Sequence, residues 1–365
     1  MFVQAAQRMG FRTIVLSPTP DAPAAQIAHD VVVGPDDDPR TLDAFAARAD
    51  AVTVEFENVS AAGLRWLGRR MPARPGWRTV RVSQNRLREK RFLQSIGVPL
   101  AAWRPVRTEC ELSEAVTQLG TPLILKTAAS GYDGKGQIRV DAPEDLATAW
   151  ARLNRVACVA EQVVDFVAEV SVVAVRGADG MGVTYPVALN RHSRHILDST
   201  LVPAPIGPVL TRESRDLATR ILETLGTVGV LTVEMFLGAD GRVRVNELAP
   251  RPHNSGHWTI EGSTCSQFEQ QVRTLAGWPV GEADAPRAAA MVNLLGDLWG
   301  SGPPQWADAL GSDPGVHLHL YGKHGAAPGR KMGHMTVIDA DPDAALSRAL
   351  AARSRLTGGG CSDPS

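Results

Sequence analysis

The sequence predicts a mixed fold, an α/β unit with a parallel sheet followed by an α+β domain rich in antiparallel strands and a small β-rich C-terminal domain. Three observations predict it. Short apolar runs alternate with helical patterns over the first 70 residues. A Pro/Gly/Arg-rich stretch at 71–78 then interrupts the pattern. Beyond it strand-like runs dominate, and the pattern changes again near Ala276. The 365 residues, at roughly 150 per domain, accommodate about two or three domains. The expected divisions are 1–82, 83–275 and 276–356, with a flexible Gly/Ser/Asp/Pro-rich tail at 357–365.

Phe2, Ala5, Ala6 and Met9 recur at helical spacing and Gly10 closes the pattern, so the chain opens on a helix. Strands are expected at 13–16, 31–33 and 51–56, and helices at 39–48 and 60–70. Such alternation implies a parallel sheet wound with helices, an architecture that places a strand and a glycine-rich loop ahead of the first helix. Neither lies within the sequence. Ser83 is the expected cap of a helix running to Ile96 and closed by Gly97. Helices are expected next at 111–119 and 143–153, and strands at 123–127, 137–140, 157–162, 169–175 and 183–189. After Ala276, Trp299, Pro303 and Pro304 mark a loop, and strands are expected at 316–321 and 334–338.

Composition narrows the function. With 38 basic against 39 acidic residues the formal charge is −1, which gives no bulk footprint for nucleic acid or an anionic membrane. Cys110, Cys158, Cys265 and Cys361 form no C-x-x-C pair, so neither a zinc site nor a disulfide scaffold is expected, and a reducing cytoplasm fits. No run reaches the roughly 18 apolar residues of a spanning helix. Gln4, Gln7 and Arg8 interrupt the place where a signal peptide carries its apolar run, so an unexported, soluble protein is expected.

Four constellations carry chemistry. Strand-like runs at 230–236 and 242–248 flank Asp240-Gly241, a strong hairpin signal. A turn centred on that dipeptide sets Glu234 directly opposite Glu247, where like charges conflict unless a divalent cation joins them. The alternative is that both point to solvent, and a loop of odd length would break the pairing. The segment Gly131-Tyr132-Asp133-Gly134-Lys135-Gly136-Gln137 follows the apolar strand that bears Lys126. Its glycines free the backbone to approach phosphates, with Lys135 and Lys126 as cations; the alternative is a plain hairpin tip. Arg251-Pro252-His253-Asn254-Ser255-Gly256-His257-Trp258 follows the hairpin directly and suits an anionic substrate, or else is a turn with structural histidines. Lys323, His324, Arg330, Lys331 and His334 form a basic cluster that either binds an anion or is a solvated edge.

The order of Lys126, the 131–137 loop, Glu161-Gln162-Val163-Val164 with Glu169, the Glu234/Asn246-Glu247 hairpin and the 251–258 loop resembles the ATP-grasp ligases. Among these it is most similar to the 5-(carboxyamino)imidazole ribonucleotide synthetase family, over residues 1 to about 338. The resemblance implies an ATP-grasp domain between a pre-ATP-grasp domain and a C-terminal domain. It also implies the carboxylation of aminoimidazole ribonucleotide with ATP and bicarbonate in purine synthesis, through carboxyphosphate. Mg²⁺, replaceable by Mn²⁺, and a cytoplasmic homodimer are part of the same expectation.

By the same resemblance, Arg86, Lys126, Gly131 to Gln137, Glu161, Gln162, Val163, Val164, Glu169, His192, Asn246 and Glu247 contact ATP. Backbone groups of the 161–164 segment hold adenine, and Glu169 takes the ribose hydroxyls. Glu234 and Glu247 hold the metal, while Lys126, Lys135 and Arg251 serve the chemistry. Arg251, His253, Asn254 and Ser255 line the bicarbonate and imidazole side, Glu57 and Tyr132 lie near the ribonucleotide, and Lys323, Arg330 and Lys331 bind its phosphate. Asn85-Arg86 stands where the family has Asp-Arg, and His195 where it has glycine. Met1 aligns with the methionine that closes a Gly-Gly-Gly-Gln-Leu-Gly-Arg-Met loop, so either that loop and its strand lie upstream of a start chosen too late, the favoured expectation, or the chain is truncated with impaired activity. A sister ligase, such as formate-dependent glycinamide ribonucleotide transformylase, and an MgATP-binding protein without turnover are the competing readings.

Overall fold

The structure is a computed structural model and describes residues 1–129, 131, 136–300 and 302–357. The opening helix, Phe2–Arg8, precedes β1 (Ile14–Ser17) and β2 (Asp30–Val33), which pair in parallel. Helix Pro39–Ala46 begins where the Asp38 carboxylate accepts the Thr41 N–H at 2.8 Å, and helix Ala61–Leu67 where the Ser60 hydroxyl accepts from Gly63 at 3.0 Å. Their apolar faces, Leu42, Phe45, Leu64 and Leu67, close on Val32, Val52, Val54 and Val80. The strand expected at 51–56 does not form; Val52 makes a single parallel bridge to Ala73. The neighbouring segment reads Pro72-Ala73-Arg74-Pro75, and two prolines without N–H groups stop the ladder on either side.

Ser83 is not the cap expected of it. It ends helix Trp77–Ser83, and its hydroxyl donates back to the Thr79 carbonyl at 3.1 Å. Asn85 caps the next helix, Arg86–Ser95, its Oδ1 accepting from the Arg88 N–H at 3.1 Å. A four-stranded antiparallel sheet follows: β3 (Trp103–Val106), β4 (Leu123–Thr127), β5 (Gln137–Val140) and β6 (Cys158–Gln162), in the order β3-β6-β4-β5. Helices Glu109–Leu119 and Leu146–Arg152 cover it, burying Leu112, Ala115, Leu146 and Trp150 against Leu123, Leu125 and Val140. The helix expected at 143–153 opens as a 3₁₀ turn over Pro143–Asp145.

The rest of the chain builds one nine-stranded sheet from β7 (Phe166–Arg176), β8 (Gly182–Thr184), β9 (Ala188–Ser193), β10 (Ile196–Val202), β11 (Gly229–Gly238), β12 (Val243–Ala249), β13 (Ala288–Leu295), β14 (Val316–Leu320) and β15 (Lys331–Asp339). Its order is β12-β11-β7-β9-β10-β13-β15-β14, with β8 paired to β7. The single strand expected at 183–189 is thus two strands, because Pro186 between them supplies no donor to a ladder. The 18-residue helix Pro208–Leu225 lays Leu217, Ala218, Ile221 and Leu222 on β7 and β11, and ends at Gly226 with φ +67°. At the other end, helix Pro342–Ser354 sets Ala345, Leu346, Ala349 and Ala352 against β13 and β15. Among the described residues no helix is long and apolar enough to cross a membrane.

Candidate active site

Glu234 on β11 and Glu247 on β12 are cross-strand partners, as the hairpin spacing predicts, but the route differs. The connecting loop is odd: Gly238 N–H donates to the Arg242 carbonyl at 2.9 Å, and Ala239, Asp240 and Gly241 lie between. Gly241 adopts φ +73°, which favours glycine, and the Asp240 carboxylate accepts the Arg242 N–H at 3.2 Å. From that loop Met235 faces Val245, Phe236 faces Arg244 and Leu237 faces Val243. A register shift between Glu234 and Met235 then inserts Asn246 as an extra residue on β12 and returns Glu247 to the place opposite Glu234. The bulge cancels the odd loop.

Each carboxylate of the pair has a basic neighbour. Arg86 Nη1 lies 2.8 Å from Glu247 Oε2, and His253 Nε2 lies 3.0 Å from Glu234 Oε1. Burial would raise the Glu234 pKa, but His253, His192 and Lys331 reverse the shift and hold it below the usual carboxylate range. The Asn246 side-chain oxygen is buried without a hydrogen-bond partner. Two carboxylates and a neighbouring amide oxygen fit a hard cation such as Mg²⁺. Among the described residues no cluster of three or more His, Cys, Asp or Glu side chains encloses a metal alone, so water and phosphate oxygens would fill the remaining positions.

A buried charge cluster adjoins the pair. Lys126 on β4 places Nζ 3.0 Å from Glu161 Oε2 on β6, and Lys90 on helix Arg86–Ser95 places its own 3.4 Å from the same oxygen. Burial would raise the Glu161 pKa, yet Lys126 and Lys90 together drive it well down. Burial lowers the Lys126 pKa, and Lys90 and Arg86 push the same way against Glu161. Glu89 accepts the Leu248 N–H at 2.6 Å, and its carboxyl is pushed up to about 8 by burial and by Glu247. Glu89 and Lys90 are not among the site residues expected from the sequence. The signal was there: Arg86, Glu89, Lys90 and Leu93 fall at i, i+3, i+4 and i+7, the core stripe of a helix, with charges in three apolar positions.

The 251–258 loop is tied down on both sides. His253 Nδ1 lies 2.9 Å from the Ser255 hydroxyl, which meets Ser171 at 2.7 Å; Asn190 donates to Ser171 at 2.9 Å and accepts from Thr200 at 3.1 Å. Asn254 and Asn293 exchange amide hydrogen bonds at 3.0 and 2.6 Å. Ser255 and Asn254 are therefore buried behind the loop. Arg251 pairs with Glu57 across the domains. Glu169 and His192 are neighbours, Oε1 to Nδ1 at 3.2 Å. Gln162 is exposed at the end of β6, its N–H donating to the Ala102 carbonyl at 2.9 Å, and Val163 and Val164 lead away half-buried.

Lys323 Nζ donates to the Lys331 carbonyl at 2.7 Å, and Arg330 Nη1 to that of Gly325 at 2.7 Å, which closes the basic loop on itself. Gly136 has φ +74°, and a Cβ there would come within 2.6 Å of the Thr127 hydroxyl, so this loop position requires glycine. Tyr132, Asp133, Gly134 and Lys135 lie outside the described residues.

Family models match the chain in three stretches: a ribonucleotide synthetase pre-ATP-grasp domain at 1–84, an ATP-grasp domain at 91–268 and a phosphoribosylaminoimidazole carboxylase C-terminal domain at 289–348. The N5-carboxyaminoimidazole ribonucleotide synthase of Bacillus subtilis (strain 168) is 38% identical over 94% of this chain and 89% of its own. The chain belongs to the N5-carboxyaminoimidazole ribonucleotide synthase family. A synthase of that name from Brucella melitensis is 40% identical over 93% of this chain and 92% of its own. Among solved synthase structures, that from Thermus thermophilus superposes with a TM-score of 0.90 at 39% identity, over 100% of this chain and 97% of its own. The Aspergillus clavatus synthase in complex with ADP and 5-aminoimidazole ribonucleotide gives 0.89 at 30% identity, over 98% and 95%. The ATP-grasp fold predicted from the sequence is thus the fold of the synthase family.

Proposed function

We infer that the chain carboxylates 5-aminoimidazole ribonucleotide with ATP and bicarbonate, giving N5-carboxyaminoimidazole ribonucleotide, ADP and phosphate in purine synthesis. The observation that carries the reading is the Glu234–Glu247 pair, restored by the Asn246 bulge and standing beside the Lys126–Glu161–Lys90 cluster. A bicarbonate oxygen attacks the γ-phosphorus and ADP leaves. The exocyclic amine then captures the carbonyl carbon of carboxyphosphate, losing a proton as phosphate departs. Mg²⁺, held by Glu234 and Glu247 with Asn246 alongside, would neutralise phosphate charge.

The chain's own groups supply position and charge. Lys126 reaches the phosphates and is held in one orientation by Glu161. Arg86 offsets Glu247 and, beside a metal held by that carboxylate, would add positive charge for the phosphates. Glu169 receives the ribose hydroxyls with His192 beside it, and the 161–164 backbone holds adenine. Lys135 and its loop cover the phosphates. Arg251 and His253 face bicarbonate, and Asn254 and Ser255 act from behind by fixing them through Asn293 and Ser171. Glu57 meets the ribonucleotide, with Tyr132, and Lys323, Arg330 and Lys331 bind its phosphate. The enzyme works as a cytoplasmic homodimer, which sedimentation equilibrium tests.

Phosphate release from ATP is the deciding assay. Release that needs both aminoimidazole ribonucleotide and bicarbonate supports the reading. Release driven by glycinamide ribonucleotide and formate instead, or by neither pair, overturns it.

A further inference from the structure

β12 is the outermost strand of the nine-stranded sheet, so one row of its backbone groups faces away from β11. At residues 246 and 248 no strand takes up that row. The Lys90 ammonium donates to the Asn246 carbonyl at 3.1 Å, and the Glu89 carboxyl accepts the Leu248 N–H at 2.6 Å. Two consecutive side chains of helix Arg86–Ser95 thereby bond the backbone on either side of Glu247, one as donor and one as acceptor, as a neighbouring strand would. A little earlier, Val245 N–H finds the Pro99 carbonyl at 2.8 Å.

Both side chains are almost wholly buried, each 1% exposed, and burying two ionisable groups needs a reason beyond packing, which an apolar pair would serve at lower cost. The bulge supplies one. An extra residue leaves part of the ladder unpaired and the strand free to slip. A slip by one residue would turn Glu247 to the opposite face, away from Glu234.

We propose that Glu89 and Lys90 are positioning residues that lock the Asn246 bulge and so hold Glu247 opposite Glu234 for the divalent cation. The proposal rests on the metal reading of that pair. Lys90 does a second task in the same position, because its Nζ also lies 3.4 Å from Glu161, the partner of Lys126. One ammonium thus links the strand that carries the metal pair to the sheet that carries the phosphate lysine.

The test is Mn²⁺ affinity in the presence of ADP, followed by the electron paramagnetic resonance of free Mn²⁺, with turnover measured alongside. Lys90→Met and Glu89→Leu are expected to weaken Mn²⁺ binding by about tenfold or more, as loss of the groups that orient a ligand does. Lys90→Arg and Glu89→Gln, which keep the donor and the acceptor, should recover most of it. KM for aminoimidazole ribonucleotide should stay within about twofold in all four, because only the metal side has moved. An apolar variant that does not fold is replaced by Lys90→Ser or Glu89→Ser, too short to reach the strand, and the same shift is expected. Folded Lys90→Met or Glu89→Leu, or their serine replacements, binding Mn²⁺ as tightly as the parent would overturn the proposal. A parent that binds no Mn²⁺ with ADP, or whose Glu247→Ala variant binds it unchanged, would overturn the metal reading beneath it instead.

Discussion

Arg251 and Glu57 form an ion pair although 194 residues separate them, and it joins the loop after the β11–β12 hairpin to the N-terminal unit. Their side chains are 20% and 22% exposed. Burial would raise the Glu57 pKa, but Arg251, and then His253, outweigh it and leave the carboxyl below its usual range. Glu57→Gln keeps the shape and removes the charge. It should lower stability by about 1.5–3 kcal/mol, the range for a hydrogen bond to a charged group. Urea unfolding reads that loss, and KM for aminoimidazole ribonucleotide should rise with it.

Glu247→Ala removes one carboxylate of the proposed metal pair and leaves Arg86 without its nearest partner. Losing several kcal/mol of metal-derived charge stabilisation corresponds to a fall in kcat of about a hundredfold or more. Steady-state phosphate release at saturating Mg²⁺ is the measurement. Turnover within tenfold of the parent would move the metal away from this hairpin.

Deleting Asn246 tests the register itself. Without the extra residue the register set by the odd loop, Met235 opposite Val245, runs straight on and brings Glu247 opposite Glu234 with no bulge, at the loss of the Asn246 amide. The sheet should persist, because Val233, Met235, Val243 and Val245 still seal the core. Circular dichroism close to the parent with Mn²⁺ binding by the carboxylate pair retained is the expected result; loss of Mn²⁺ binding would show that the bulge does more than set the register.

Acid should destabilise the protein through two buried imidazoles. Burial, with the neighbouring histidine as the next cause, drives the pKa of His257 and of His334 well below 6.5; for His257 that neighbour is His334, and for His334 it is His319. In the unfolded chain both take up a proton near pH 6.5, while in the folded state they stay neutral. The unfolded state therefore binds more protons below that pH, and stability falls as pH drops from about 7 toward 5. His334→Gln should flatten part of this slope in thermal melts recorded across the range.

Much of the fold was legible because its signals are local. The apolar run at 123–127 and the strand at 137–140 appear with the expected bounds, and Asp240-Gly241 located the hairpin. Part of what failed depends on partners far away in sequence, and part on a competing bond close by. Residues 51–56 have a strand's composition, yet the segment beside them is flanked by Pro72 and Pro75. Ser83 has a cap's chemistry but had already bonded within its own helix. In the site, the opposition of Glu234 and Glu247 was readable, whereas the bulge that makes it possible has no mark in the sequence. Glu89 and Lys90 escaped notice because charged residues on a helix are ordinarily solvated, and only packing against β12 makes them interior.

The edge position of β12 bears on how the protein behaves in a crowded solution. An outer strand with unoccupied N–H and C=O groups is a template onto which another chain can add, and that is how sheets aggregate. Here Glu89, Lys90 and the Pro99 carbonyl occupy those groups. The two polar side chains that steady the bulge thereby also leave no room for a foreign strand beside it.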